Sequence, residues 1–441
     1  MIKRQETFFS NLKFIDWQLL LVSLFLTVTG LLFIYSSTLQ TGNPWLFVGK
    51  QIFAFFIGIL LMLIFIGIDY RFFREYFLQI YFISIFLLLI VLVFGRTMRG
   101  SKAWLDFGLF TFQPSEITKI LFVLSLGGFL DKNSKELYRW QKLTIPVLML
   151  VGNVVLILLQ PDFSSTLVYF PVFLVMLYCA GARVLHLSSF VFYGIVSMSI
   201  PLIKTLLAPY LKTTSFLIGI LNYKIELLFF VLFVGLFLFL LWWFLKRWRI
   251  NIPVFYFIFT YLLFIFGIFS SYFVGKSIKE HQRKRLVVFI NPKVDALGSG
   301  YNIIQSKIAV GSGKIFGKGI FNGTQAQLGF LPAQHTDFIF SLISEETGFV
   351  FSMIMIILYV FLIWRIVNIA YESRDSYGSI VAAGLGTMFA FYSIVNIGMV
   401  VGLMPITGLP LPLVSYGGSS LISSLICLGI LFSINIRRFM Y

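Results

Sequence analysis

The segment FLQIYFISIFLLLIVLVFG, residues 77–95, contains neither a charged residue nor a proline. As a helix rising about 1.5 Å per residue it is long enough to cross most of a hydrocarbon layer roughly 30 Å thick. Its apolar residues do not alternate with polar ones, as a strand of an outer-membrane barrel requires, so it predicts a helix that satisfies its own backbone groups in lipid. Comparable runs fall near 17–38, 52–69, 114–130, 144–160, 164–181, 185–203, 226–245, 254–275, 337–369, 379–400 and 415–435, giving twelve candidate spans. Of the 441 residues, 59% are hydrophobic and 12% charged, against about 45–50% and about 25% in soluble domains. A water-soluble globular enzyme is therefore excluded, and the chain reads as an all-α polytopic membrane protein.

Residues 17–38 are too long for the core of a secretory signal and lack a small-residue cleavage site, so they are expected to remain as the first anchor. Cys179 and Cys427 lie inside apolar runs and read as small packing residues, not as a disulfide framework. An even number of spans puts both termini on one side. With the termini inside, the inner segments carry seventeen lysines and arginines and the short outer loops seven. This positive-inside bias assigns both ends to the cytoplasm.

The longest polar stretch, about 276–336, then lies outside the cytoplasm and carries nine basic residues against two acids, Glu280 and Asp295. A loop of that length translocates regardless of its charge. Its surplus suits an anionic partner such as a pyrophosphate or an acidic polymer, and attraction to anionic lipid headgroups explains it equally well. The net charge of +17 does not point to nucleic acid, because the basic residues are spread over both faces and no nucleic-acid module surrounds them. The run Gly311-Ser312-Gly313-Lys314-Ile315-Phe316-Gly317-Lys318-Gly319 lacks the spacing of a nucleotide-binding loop and follows no evident strand. Its glycines are expected to permit tight turns near the membrane surface.

Ionisable groups in or beside spans are costly unless paired or useful. Glu116 and Lys119 are three residues apart on one helical face and can neutralise each other. Asp162 sits at a proline-broken turn, Asp337 opens the tenth span, and Glu345 and Glu346 lie about two turns inside it. Helix capping or pairing explains each alone, while their clustering toward the outer half favours a shared polar cavity. Asp295 stands apart on a glycine-rich loop among cations, which keep it ionised as a base or cation ligand needs to be. Turn chemistry also accounts for it.

Residues 285–313, RLVVFINPKVDALGSGYNIIQSKIAVGSG, resemble the signature loop of the SEDS family, the shape, elongation, division and sporulation proteins. The blocks Trp104-Leu105-Asp106, Phe112-Gln113-Pro114-Ser115-Glu116, Gln160-Pro161-Asp162, residues 323–332, His335-Thr336-Asp337-Phe338-Ile339-Phe340 and residues 408–419 resemble further family motifs, in family order. The Gly-Thr-Gln and Gln-Ser-Lys-Ile-Ala runs are more similar to the elongation branch than to the division branch. The resemblance implies a helical bundle of about ten core spans, to which the three apolar runs within 185–275 add two, with about 185–251 as an insertion in a single membrane domain. It also implies a peptidoglycan glycosyltransferase that polymerises lipid II outside the cytoplasmic membrane, inverting the anomeric carbon and releasing undecaprenyl pyrophosphate.

By that resemblance Asp295 is the catalytic aspartate, Glu116, Lys119 and Asp162 line the cavity, Trp104 is functionally sensitive, and Ser415 falls in a substrate-side motif. Lys50, Arg283, Arg285 and Lys307 are candidates to stabilise the departing pyrophosphate. Partners implied are a class B penicillin-binding transpeptidase, elongation-complex proteins and membrane lipids. No cofactor is assigned; a divalent cation is a candidate without a ligand set. Ala296 replaces a usual proline and Lys50 a common arginine, so bidentate phosphate binding is lost while charge is kept. A lipid II flippase, a division-type polymerase and a non-catalytic scaffold for the transpeptidase are the rival readings.

Overall fold

A computed structural model describes residues 14–98, 101–106, 108, 111–207, 224–249, 253–277, 280–292, 298–331 and 333–438. All twelve apolar runs form helices. In chain order these are α1 (Trp17–Thr38), α2 (Pro44–Gly67), the short α3 (Arg71–Glu75), α4 (Phe77–Phe94), α5 (Pro114–Lys132), α6 (Trp140–Leu159), α7 (Phe163–Cys179), α8 (Val184–Leu207), α9 (Lys224–Arg247) and α10 (Val254–Ser277). The polar stretch then forms α11 (Glu280–Ile290), α12 (Ser299–Ser312) and α13 (Thr324–Gln327), followed by α14 (Ile339–Glu372), α15 (Ser376–Val401) and α16 (Gly418–Arg437). Among the described residues, ten helices are long and apolar enough to cross a membrane. The two other apolar runs are α5, which carries Glu116, Lys119, Asp131 and Lys132, and the 17-residue α7. The chain is a multi-pass membrane protein.

Two differences from the expected pattern have physical causes. Helix α2 begins at Pro44, a residue suited to the first helical turn, so Lys50 and Gln51 stand on a helix and not in a loop. The basic stretch is also largely helical. In α12 the buried Ile303, Ser306 and Ala309 recur every third residue, a helical face. A three-stranded antiparallel sheet, β1 (Arg96–Met98), β2 (Ser101–Asp106) and β3 (Thr111–Phe112), is an addition to the all-α plan.

The described chain forms two compact units, one from the residues up to Ala182 and from Asn302 onward, the other Arg183–Tyr301. In the first, α16 is the central mast: residues 421–436 are all buried, as befits a helix apolar on every side. It lies along α2, where a Cβ on Gly58 would meet the Leu425 side chain at 2.4 Å and one on Gly429 the Met62 carbonyl oxygen at 2.7 Å. Small residues allow this approach, on which helix association in lipid depends. In the second unit α8 packs on α10, and α9 and α11 flank that pair.

One end of the first unit is stitched by ion pairs between different helices. Arg365 on α14 meets Asp16, the cap of α1, at 2.6 Å, Arg74 meets Asp131 at 2.6 Å, and Arg71 meets Asp375 at 3.1 Å. Asp375 and, above all, burial push the Tyr70 hydroxyl well above its ordinary range. Asp16 is itself buried and accepts the Leu19 amide at 3.1 Å. Replacing Arg365 with Met strands that carboxylate and should cost about 3 kcal/mol. The expected fall in unfolding temperature in detergent should be partly restored by Asp16→Asn on the same background.

Candidate functional site

The other end of the first unit holds a cavity of about 360 Å³. Helix α2, the sheet, the first turn of α5, the residues preceding α14 and the proline-rich loop 402–417 build its walls. Lys50, Trp104, Gln113, Glu116, Asp337 and Tyr416 give it a cation, aromatic faces and carboxyl groups. Ala54, Ile57 and Ile422 supply an apolar side.

Each polar wall is fixed by hydrogen bonds. The buried Gln51 donates to the Ser415 carbonyl at 3.2 Å and accepts the Gly417 amide at 3.1 Å, tying α2 to the proline-rich loop. The Ser419 hydroxyl accepts the Gln113 amide at 3.0 Å and donates to the Thr111 carbonyl at 3.3 Å, joining the sheet to α16. Trp104 pairs across the ladder with Arg96. Arg96 in turn binds Asp106, whose exposed carboxyl is held below its usual range by the Gly108 amide and then by that guanidinium.

Beneath the floor, the Lys119 ammonium donates to Glu116 at 2.6 Å and to the Tyr392 hydroxyl, with all three side chains buried. The spacing of Glu116 and Lys119 foretold their pairing. The contribution of Tyr392, from α15, was invisible locally. A smaller pocket shares Glu116 and Ser420 with the main cavity and reaches Cys427.

Of the residues singled out from sequence, Lys50, Trp104 and Glu116 line the cavity, and Lys119 neutralises Glu116 from below. Asp162 stands beside the wall, accepting Gln113 at 2.9 Å and capping α7 through the Ser165 amide at 3.2 Å. Ser415 is spent on structure: its hydroxyl donates to the Thr336 carbonyl at 2.6 Å and accepts the Leu411 amide at 2.9 Å. Lys307 is exposed on α12, against Gly402. Arg283 and Arg285 lie on α11 in the second unit, with the Arg283 guanidinium on the Gly275 carbonyl. Asp295 falls outside the described residues.

The acids do not all share one cavity. Asp337 and Glu116 reach it, whereas Glu345 and Glu346 turn to the glycine-rich segment, where backbone amides and Lys318 satisfy them. Sequence reasoning expected Asp337 in a shared polar cavity, where it does stand, and passed over Gln51 and Tyr416. The block containing Tyr416 was visible, but the direction of its side chain was not. Among the described residues no group of three or more His, Cys, Asp or Glu side chains is placed to hold a metal ion, so the structure assigns no ligands to a divalent cation.

A chamber with polar, charged and apolar sides, set among membrane helices, defines the class: a polytopic membrane protein with a cavity at one end of its bundle. The comparisons with known proteins make this specific. The FtsW/RodA/SpoVE family of cell cycle proteins matches residues 16–224 and 207–439, and the chain belongs to that family. It is 37% identical to the peptidoglycan glycosyltransferase RodA of Treponema pallidum over 96% of this chain and 98% of that protein. It is 32% identical to the peptidoglycan glycosyltransferase MrdB of Escherichia coli K12 over 98% and 96% of the two chains. Among solved structures, a chain of a peptidoglycan synthase complex that coordinates polymerization and crosslinking aligns with a TM-score of 0.68, 25% identity and coverage of 97% and 99%. The crystal structure of the rod shape determining protein RodA from Thermus thermophilus shares the fold, with a TM-score of 0.60 and 23% identity over 96% and 98%.

Lys119→Met should leave Glu116 buried without its cation and cost about 3–5 kcal/mol. Adding Glu116→Gln should recover much of the loss in unfolding temperature; equal loss in single and double variants would place the cost in packing instead.

Proposed function

We propose that the protein polymerises lipid II into glycan strands during cell elongation, on the non-cytoplasmic face of the bacterial cytoplasmic membrane. The observation that carries this reading is the cavity that joins Lys50, Trp104, Glu116 and Asp337 to an apolar wall, in a chain related along nearly its whole length to peptidoglycan glycosyltransferases. An amphiphile with a pyrophosphate, two sugars and a prenyl chain needs these surfaces side by side. Lys50 offers charge to the pyrophosphate, Trp104 an aromatic face to a sugar, and the apolar wall a place for the chain.

The reaction joins the acceptor sugar's 4-hydroxyl oxygen to the donor's anomeric carbon while the bond to the pyrophosphate oxygen breaks. The hydroxyl proton needs a base, and Asp295 is our candidate. The pyrophosphate leaves with its bonding electron pair, which cations stabilise; Lys50, in the cavity lining, is our first candidate, and Arg283, Arg285 and Lys307 are further candidates. Both substrates are lipid-tethered, so a membrane-side chamber restricts them to one depth and removes much of the cost of orienting them. The ion-paired end of the bundle is the cytoplasmic one, by the bias of basic residues. The chain works with a class B penicillin-binding transpeptidase, a pairing supported by the likeness to the synthase complex. The stretch of about 185–251 is an addition to a ten-span core.

A flippase reading gains little from the break in α14. The part of α14 beyond its break, residues 349–372, is about 36 Å long and can span the hydrocarbon alone. The break therefore belongs to the end of that span and not to its middle.

The test is glycan synthesis from lipid II by the purified protein with its transpeptidase partner. Asp295→Asn should abolish polymer while the protein stays folded and partner-bound. Lys50→Met should lower kcat/KM by about tenfold or more, in keeping with loss of a charge-assisted contact, and Lys50→Arg should retain most activity. A wild type that makes no polymer, or an active Asp295→Asn variant, refutes the reading.

A further inference from the structure

Helix α14 is interrupted at Gly348, where φ is 75° and ψ −171°. An interruption strands the carbonyls before it and the amides after it, which need partners when water is excluded. Here the chain supplies them. The Lys318 and Gly319 amides donate to the Glu345 and Glu346 carbonyls at 3.0 and 2.9 Å. The Phe349 and Val350 amides donate to the Lys314 and Ile315 carbonyls at 2.9 and 3.1 Å. The approach leaves no room for side chains: a Cβ on Gly317 would stand 2.1 Å from the Glu346 oxygen, and one on Gly348 2.2 Å from the Gly317 nitrogen. Thus the glycine-rich run that fails as a nucleotide loop is the filler of a broken helix.

Glu345 and Glu346, residues exposed by 0% and 1%, close the rest of the segment with their side chains. Glu345 accepts the Lys318 ammonium at 2.7 Å, the Thr324 hydroxyl at 2.9 Å and the Gln325 amide at 3.1 Å. Glu346 accepts the Phe321 amide at 3.0 Å and the Ser36 hydroxyl of α1. Residues 311–327 therefore form a strap over the C-terminal end of a half-helix, residues 339–347. Immediately before its N-terminal end stand Thr336 and Asp337, both in the cavity wall. The Thr336 carbonyl accepts Ser415 at 2.6 Å and the Asp337 carbonyl accepts Asn396 at 2.9 Å. A rigid rod of about 13 Å links the carboxylate-centred strap to the cavity.

We propose that Glu345 is a positioning residue: through its ion pair with Lys318 it locks the strap onto the half-helix and so sets where Thr336 and Asp337 stand in the cavity wall. This rests on the polymerase reading of the cavity. Neither Glu345 nor Lys318 lines the cavity, whereas Lys50 and Trp104 stand on α2 and β2. Loosening the strap therefore displaces one wall and leaves the contacts offered by Lys50 and Trp104 in place.

The test takes the full chain with its transpeptidase partner and compares Glu345→Gln, Lys318→Met, their double variant and Lys318→Arg. Per folded molecule, kcat should fall about tenfold to a hundredfold in each of the first two, as small misplacements near a reacting centre do. KM for lipid II should stay within about threefold of wild type, because the contacts that bind it persist. The double variant should lose no more than the worse single, since the pair acts as a unit, and Lys318→Arg should keep most activity. Hydrogen exchange needs no substrate and reads the lock directly: amides of residues 339–347 should exchange about tenfold faster in Glu345→Gln. Should that variant fail to fold, Thr324→Val, which removes one donor, carries the same test. Unchanged exchange, or an unchanged kcat per folded molecule, overturns the proposal. A wild type without polymerase activity overturns the underlying reading, while the exchange result still decides the lock.

Discussion

A carboxylate withdrawn from water must find donors already in place, and that requirement organises this protein. Asp16, Glu116, Glu345 and Glu346 are all buried in the first unit, and each fastens segments far apart in the chain. Asp16 joins the start of α1 to α14. Glu116 and Lys119 meet Tyr392 of α15. Glu345 and Glu346 bind residues 318–325 and α1. In a medium that gives helices little hydrophobic reason to associate, such contacts and close backbone approaches decide which helices are neighbours.

The cavity follows from the same constraint. A polar chamber among apolar helices persists only if its walls are held by hydrogen bonds, and Gln51, Ser415, Ser419 and Asn396 supply them through backbone groups. The groups left to face the chamber, Lys50, Trp104 and Asp337 among them, belong to three different elements. Neighbours in sequence can have different surroundings: Tyr416 lines the chamber, whereas the Ser415 hydroxyl is spent on backbone groups. Ser415 is a case where a motif residue serves the frame while its neighbour faces the chamber.

Much of this was legible in the residues themselves. Every apolar run became a helix, because the cost of unpaired backbone in lipid overrides local preference. The pairing of Glu116 with Lys119 followed from a spacing of three on one helix. The glycines of residues 311–319 signalled unusual backbone, and Gly317 and Gly319 do have φ values of 80° and 99°. The start of α2 was misplaced because Lys50 and Gln51 look like loop residues, and the helicity of α12 was hidden by its polarity.

What the sequence determined by itself was the environment, the number of apolar helices and the local pairs, since these depend on composition and on contacts between residues a turn apart. Only the tertiary structure decided which acids share the cavity and which hold the strap. Asp337 lies just before the half-helix and Glu345 about two turns further on, near its far end, yet one stands in the cavity wall and the other accepts Lys318. Their different fates are set by where α2, α15 and the glycine-rich segment arrive in space, and no periodicity within the half-helix encodes that arrival.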